Sequence, residues 1–474
     1  MNMLENLAEA RIAIKNKTAE IFQSNELSQL ARKTKFIRRS TSILQAKDFV
    51  DLMTASSVDP KSIPLEMLCS ILRELNPAAN MKKQSLMERI NQPEATAFLK
   101  AVFEKSLKQA ITNIVECIPP DILESFSNVY LEDCSECALN EELQEEFKGS
   151  GGAASKSSVK LDFIYEIKQR NIIEVGLRDR KTPDQKLAQQ NLKIIKKGDL
   201  MIRDLGFFDA DVFKNFNEIG AFFLSRLSAS AHVYLNKDDK EPLDLARYID
   251  KHFPDSSVID IRVYVTAKKL PCRLIAYRVP EELAEKRRME ANRESKKKGR
   301  KQNQATINRL DFTFFITNVP NDIWEPEVVG TVYSVRWQIE LIFKNWKSSL
   351  QIHYLKGINP DRIRCLLYAK LITIVIINII YKFAAWFAQK LEREISLHKL
   401  VNWLKISNRL CVIILKGFSK AIFDSLVREI PKTLSKDKRK LKTTLEALEM
   451  RLDYLALYAN SNNKNIKYQY FKIA

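Results

Sequence analysis

Glycine is scarce in this chain and late to appear: there are 11 in 474 residues, and the first is Gly149. A stretch of that length without glycine, rich in Leu, Ala, Glu and Lys, predicts helices. Residues 1–120 are therefore expected to form a helical domain. No G-x-x-x-x-G-K-[ST] run exists, which excludes a P-loop; Gly149, Gly151 and Gly152 mark a hairpin or flexible loop instead. The 7 cysteines are too few for a disulfide scaffold. Cys134-Ser-Glu-Cys137 is a lone C-x-x-C. With only 4 histidines, none close in sequence, it has no partner set for zinc. Reduced, cytoplasmic thiols are expected. The opening Met1-Asn2-Met3-Leu4-Glu5 lacks a charged segment followed by an apolar core, so no secretory leader is read. Cys365–Phe387 imitates a membrane span, but Lys370 and Lys382 leave only Leu371–Tyr381 uncharged. That is short of the ~20 residues a bilayer requires, so a buried helix and no membrane partner are predicted.

What the chain does have is positive charge. Lys plus Arg number 77 against 58 Asp plus Glu, a formal net charge of +19. The sequence pI is about 9.4. An excess of that size points to a polyanionic partner, of which nucleic acid is the commonest. The basic run Ala31–Ser40 fits DNA phosphates or a solvated helix face equally well.

The period shifts to that of strands near residue 126. Asn128–Asp133, Val159–Tyr165 and Ile172–Leu177 read as strands. Thr182-Pro-Asp-Gln185 has the pattern of a capping box opening a helix to about Lys196. Asp199–Asp204 is the next strand, with Leu205-Gly206 as its exit. A helix near 209–218 and a strand Ala221–Leu224 follow. Residues 227–310 form a β-rich module: Ser257–Val265 alternates cleanly and Cys272–Val279 is its antiparallel partner. Glu281–Arg300, ending in the basic Lys296–Lys301, is read as an exposed arm or loop. Asp311–Thr317 is a strand. A long helix is expected from Trp324 to about Leu350, and a helical, Lys-rich region over 351–474.

That order, three strands, helix, strand, helix, strand, insertion, strand, helix, resembles an α/β ribonuclease H-like mixed sheet. Its catalytic domain would span 121–350 with the insertion at 227–310, flanked by N-terminal and C-terminal helical domains.

One helix carries the strongest signal. At about 100° per residue, with Tyr333 at zero, Arg336 falls near −60°, Glu340 near −20°, Lys344 near +20° and Lys347 near −40°. These five polar residues share a narrow face. Val335, Ile339, Ile342, Phe343 and Trp346 lie opposite. A solvated amphipathic helix explains the stripe too. One carboxylate among cations, however, suits a metal held beside phosphates.

Here the chain resembles a known family. Tyr333, Arg336, Glu340 and Lys347 meet the spacing Y-x2-R-x3-E-x6-K of bacterial insertion-sequence transposases with a DDE active site. Glu132-Asp133-Cys134-Ser135 is similar to the family's first-Asp strand, with Cys134 where Ser or Thr is usual. Ile202-Arg-Asp204-Leu-Gly-Phe-Phe208 is similar to its second. Thr317-Asn318-Val319 matches the block before the glutamate helix. The likeness covers about residues 125–355. It implies that Asp133, Asp204 and Glu340 are catalytic and bind Mg²⁺ (or Mn²⁺), two ions, and that Tyr333, Arg336, Lys344 and Lys347 bind DNA. It further implies cut-and-paste transposition on double-stranded DNA by a homodimer in a bacterial cytoplasm. The 1–120 region would bind DNA, and 351–474 would serve dimerisation or DNA contacts. The insertion would hold a DNA hairpin or flipped base, with Tyr264 and Tyr277 either stacking on a base or packing.

Asp162, Asp179, Asp184, Asp199 and Asp209 compete for the acid roles. Asp209 is the substitute should Asp204 fail. Rival functions are another ribonuclease H-like nuclease, such as a resolvase, or a non-enzymatic DNA-binding descendant.

Overall fold

The structure, a computed structural model, describes residues 3–39, 41–58, 63–111, 121–150, 155–228, 231–297, 299 and 303–436. Gly151, Gly152, Cys117, part of the Lys296–Lys301 run and everything after 436 lie outside them. The chain divides into two compact units, and it changes unit inside a strand and inside a helix.

The first unit holds the described residues up to 111, then Cys134–Thr182, then the chain from Glu340 to 436. Its N-terminal part holds the helices α1 (Met3–Ile21), α2 (Ser24–Lys33), α3 (Ala46–Ser56), α4 (Leu65–Leu75), α5 (Lys83–Ile90) and α6 (Pro93–Ile111). The basic run begins on α2 and leaves it, and its Arg38 pairs with Glu94 at 2.8 Å.

Among the described residues nine strands follow: β1 (Val129–Ala138), β2 (Ser158–Glu166), β3 (Asn171–Asp179), β4 (Leu200–Arg203), β5 (Phe222–Arg226), β6 (Val233–Tyr234), β7 (Val258–Val265), β8 (Leu270–Arg278) and β9 (Phe312–Thr317). Their order is β3-β2-β1-β4-β5-β9-β8-β7-β6. Strand β1 starts in the second unit and ends in the first. β2 and β3 are antiparallel, while β1–β4 and β4–β5 are parallel. The expected β-rich module is not set apart: β8 pairs with β9, and β9 with β5, so β8, β7 and β6 extend the same sheet.

Between strands lie α7 (Asp184–Gln190), α8 (Ala210–Ile219), α9 (Leu245–His252), α10 (Glu281–Lys297), α11 (Gln304–Asn308), α12 (Pro326–Tyr333) and α13 (Trp337–Ser348). Three local expectations need correction. The predicted exposed arm at 281–300 is largely helix α10, because Glu, Lys, Arg and Ala favour helix whatever their charge. Its Arg287 and Arg288 tie back to Phe312, Thr313 and Asp311. Thr182 does not cap α7; Pro183 takes the cap position without a side-chain bond. The single long helix from Trp324 to Leu350 starts at Pro326 and is interrupted by a 3₁₀ turn at Ser334–Arg336.

The first unit closes with α14 (Pro360–Lys390), α15 (Leu397–Ile406), α16 (Arg409–Lys416) and α17 (Lys420–Glu429). Helix α14 packs on α6 and α3. Of its most apolar stretch 89 % is buried, so it is core and no evidence of a membrane. The two interrupting lysines are buried too. Lys382 donates to Asn171 Oδ1 at 2.6 Å and Ala110 O at 3.2 Å; Lys370 donates to the carbonyls of Leu350 and Gln351. Those acceptors satisfy ammonium groups that burial would otherwise penalise.

Candidate active site

Strands β1 and β4 run parallel in register: Val129 against Leu200, Tyr130 against Met201, Leu131 against Ile202, Glu132 against Arg203. One further step brings Asp133 level with Asp204. Two carboxylates thus stand side by side on neighbouring parallel strands: Asp204 just past the carboxyl end of β4, where α/β sites form, and Asp133 inside β1, which runs on to Ala138 instead of ending at Asp133 as expected. Three apolar residues precede the charged ones on each strand, and both are buried there.

Alternation sends the residues before the two acids to the other face of the sheet. There Glu132 and Arg203 are fully buried and form an ion pair. Asn191 donates to the other Glu132 oxygen at 2.6 Å, and the Arg203 guanidinium lies 5.6 Å from the Phe216 ring. A register slip between β1 and β4 would leave these buried charges unmatched, at a cost of several kcal/mol. The pair therefore holds Asp133 and Asp204 level. It was not anticipated from the sequence. Its signal was there: charges of opposite sign end two apolar runs, each one residue before an acid.

The second unit also presents two signature residues to the acids. The Tyr333 hydroxyl donates to Asp204 Oδ1 at 3.2 Å, and Arg336 Nη1 lies 3.4 Å from Asp133 Oδ2. The Asp133 and Arg336 side chains are 21 % and 16 % exposed, sheltered but reachable. Burial, first of all, pushes the Tyr333 phenol far above its usual range. The Asp204 charge and hydrogen bond add to this, against Arg336 and Arg226. Tyr333 is thus a hydrogen-bond donor at any physiological pH. The 3₁₀ turn matters here. Residues three apart eclipse in such a turn, so Arg336 sits over Tyr333, its guanidinium 5.8 Å from the ring. The −60° offset expected of a continuous helix is closed.

Several anchors fix α12. Trp324 is fully buried, donates from Nε1 to Ile122 O at 3.1 Å and packs on Phe126. Arg273 of β8 donates to Val319 O at 2.6 Å and Trp324 O at 3.2 Å, and pairs with Asp260. Tyr277 donates to Pro326 O and accepts from Gly330 N. A side chain at 330 would meet the Tyr277 ring at 3.2 Å, so glycine lets the helix close on β8. Tyr277 therefore packs and braces, which decides against base stacking. Tyr264 stays half-buried on β7. The Thr317-Asn318-Val319 block is structural as well. Asn318 accepts from Phe223 N and donates to Ala221 O, both at 2.8 Å, extending the pairing of β9 with β5.

Glu340, Lys344 and Lys347 belong to the first unit, on α13. Glu340 lies in its first turn, four residues past Arg336. Glu340 is half-buried, Lys344 exposed and Lys347 half-buried, while Ile339, Phe343 and Trp346 are buried. In that unit Phe343 and Trp346 pack on Phe163 of β2.

The competing carboxylates have structural tasks. Asp209 caps α8, accepting from Asp211 N and Val212 N, and also takes a bond from Gln189. Asp199 accepts from Asn128 and Lys196 N, and Asp162 meets Arg178. Asp179 accepts from Lys181 N. Asp184 lies in the first turn of α7, with Oδ2 3.0 Å from where a Gly206 Cβ would be.

The acid pair suits a hard divalent cation. Mg²⁺ takes oxygen ligands, commonly one or two carboxylates, and keeps several waters. Among the described residues no group of three or more His, Cys, Asp or Glu side chains gathers to hold a metal. Burial pushes the Cys137 thiol up to about 11, leaving it inert.

Comparison with known proteins assigns the class. A family model described as the transposase DDE domain matches residues 127–376. That is more than half of the chain, and the chain belongs to this family. The transposase for insertion sequence element IS231E of Bacillus thuringiensis subsp. finitimus is 28 % identical over 397 residues, 80 % of this chain and 82 % of that protein. The transposase for IS1151 of Clostridium perfringens is 28 % identical over 444 residues, 90 % of this chain and 93 % of that protein. A piggyBac transposase synaptic complex with hairpin DNA aligns with 97 % of this chain and 91 % of that chain, at TM-score 0.43 and 10 % identity. The protein is a DDE transposase of the bacterial insertion-sequence kind, a nuclease and transesterase of DNA transposition.

Proposed function

We propose that Asp133, Asp204 and Glu340 are the catalytic carboxylates, that they bind Mg²⁺ or Mn²⁺ as a pair of ions, and that Tyr333, Arg336, Lys344 and Lys347 hold phosphates of the DNA end. The observation that carries this reading is the register of β1 and β4. It sets two acids level, with two signature residues bonded to them. The strand order β3-β2-β1-β4-β5, with only β2 reversed, supports a ribonuclease H-like core. The spacing of Tyr333, Arg336, Glu340 and Lys347 supports the Y-R-E-K subgroup.

Divalent ions bound by these carboxylates would supply charge neutralisation and activation of a hydroxyl nucleophile. The chain's own residues do the rest. Arg336 lies against Asp133, so its guanidinium is already at the acids and can fork onto two phosphate oxygens. Tyr333, kept protonated, steadies the Asp204 carboxylate and holds it in one rotamer. Lys344 and Lys347 continue the cationic face along α13. Water attacks first, freeing a 3′-hydroxyl at the transposon end; that hydroxyl then attacks opposing or target DNA. The substrate is double-stranded DNA, and a homodimer would bring two ends together. The helices of the N-terminal 120 residues and those after 350 are assigned to DNA contact and dimerisation. The strands of 227–310 are assigned to holding a hairpin or flipped base, with Tyr264 as the stacking candidate.

The test uses Glu340→Ala in the full chain, with a duplex bearing the terminal repeat that flanks the reading frame. It should bind the duplex like the parent, with Mg²⁺-dependent nicking undetectable. Nicking at the parent rate removes Glu340 from the chemistry.

A further inference from the structure

We propose that Arg226, backed by Arg287, forms a binding site for a backbone phosphodiester of the DNA substrate, beside Asp204 on the side away from Arg336. This rests on the reading of Asp133 and Asp204 as the acids at the cleavage point.

Strand geometry places Arg226. Arg203 pairs with Ser225 across the parallel β4–β5 ladder, so Arg226, the last residue of β5, comes level with Asp204. Asp133, Asp204 and Arg226 therefore stand in a row across three adjacent parallel strands. On its other side Arg226 is paired with Phe315 of β9, and residues directly opposed in a ladder share a face. The Phe315 ring packs against Tyr333 at 4.9 Å, and the Tyr333 hydroxyl bonds Asp204. Arg226 thus lies between two residues that Tyr333 touches, on the face that carries the acids.

Its surroundings are wrong for a structural arginine. Arg226 is half-buried, and among the described residues no carboxylate pairs with it. A second guanidinium stands close by instead. Arg287 of α10 is held by bonds to Phe312 O and Thr313 Oγ1, each at 3.1 Å. Burial lowers its pKa first, and the Arg226 charge lowers it further. Two like charges this close favour an oxyanion between them, and the guanidinium fork matches two phosphate oxygens. Arg336 beside Asp133 and Arg226 beside Asp204 would then flank the acids along one DNA strand.

The experiment compares the full-length parent, Arg226→Ala, Arg226→Lys and Glu340→Ala on the same terminal-repeat duplex. Binding is followed by fluorescence anisotropy across salt concentration. Arg226→Ala should bind about tenfold more weakly at ~0.1 M salt, with a slope of log K against log salt shallower by about 0.9. Arg226→Lys should keep the parent slope. Neutral methylphosphonate linkages placed singly around the nick should reveal one that weakens the parent and leaves Arg226→Ala unaffected. An unchanged slope, or the same methylphosphonate profile in both proteins, overturns the proposal and leaves Arg226 as a local counter-charge to Asp204. Should the alanine variant fail to fold, Arg226→Gln gives the same readout. If Glu340→Ala nicks normally, Glu340 falls from the carboxylate set. If it is dead while the Arg226→Ala slope is unchanged, only the Arg226 site falls.

Discussion

Glu132 and Asp133 are neighbours on one strand, Arg203 and Asp204 on the next, and the sheet treats the two steps in opposite ways. Glu132 and Arg203 face inward, fully buried, and neutralise each other. Asp133 and Asp204 face outward, partly exposed, with a tyrosine and an arginine on them. Two acids side by side repel, and only the surrounding fold keeps them level. A period of two lets a single pair of strands do both jobs: one face locks the register, and the next residue along uses it.

The largest effect tests the outer face. Asp133→Asn and Asp204→Asn should each lower Mg²⁺-dependent nicking about 10⁴-fold, on the order of 5 kcal/mol of barrier, with the urea midpoint nearly unchanged. A variant that unfolds early but still nicks would invert the comparison. The inner face should respond the other way round. Arg203→Met leaves Glu132 buried without its cation and should cost about 3–5 kcal/mol of stability. The double change with Glu132→Leu should recover most of that loss in urea titrations. If the double variant is stable yet needs the same Mg²⁺ concentration for half-maximal nicking, the pair does not position the acids.

Another buried acid sharpens the contrast. Asp51 of α3 bonds Lys47 through one oxygen, while the other has no partner. Burial, partly offset by Lys47, pushes its carboxyl up to about 6. A raised acid binds its proton more tightly when folded. Its contribution to stability is therefore complete below about pH 4 and is lost as pH rises through 6. Asp51→Asn should stabilise the protein by about 2 kcal/mol at pH 8 and by almost nothing at pH 4, measured by denaturant unfolding at both. The smallest effect concerns Arg336. Alanine there should weaken end binding by about 1 kcal/mol and flatten the salt slope by roughly one unit. An unchanged slope would confine Arg336 to its contact with Asp133.

Asp133 and Asp204 stand out in the sequence because each follows a short apolar run, although only Asp204 is followed by a turn and β1 continues to Ala138. Tyr333, Arg336, Glu340 and Lys347 are candidates because a helical period in the sequence sets them on one face. The 3₁₀ turn at Ser334–Arg336 has no sequence mark, since neither glycine nor proline stands in it. Helix α10 was hidden by its charge, which suggested an arm although Glu, Lys, Arg and Ala are good helix formers. The Glu132–Arg203 pair is invisible along either strand alone, since only pairing across strands makes the two residues partners. Nothing local announces that residues before 111 share a unit with residues after 340. Thr96 bonds Asp361 across 265 positions.

That separation matters during synthesis. Helices α3 and α6 leave the ribosome long before α14, the segment that covers them. At about 5–20 residues per second, the 265-residue interval lasts roughly 13–53 s. For that time the nascent chain carries uncovered apolar helix faces. Truncated translation products ending before residue 360 should therefore engage chaperones and resist solubilisation, whereas release of the full chain lets the late helix complete the bundle.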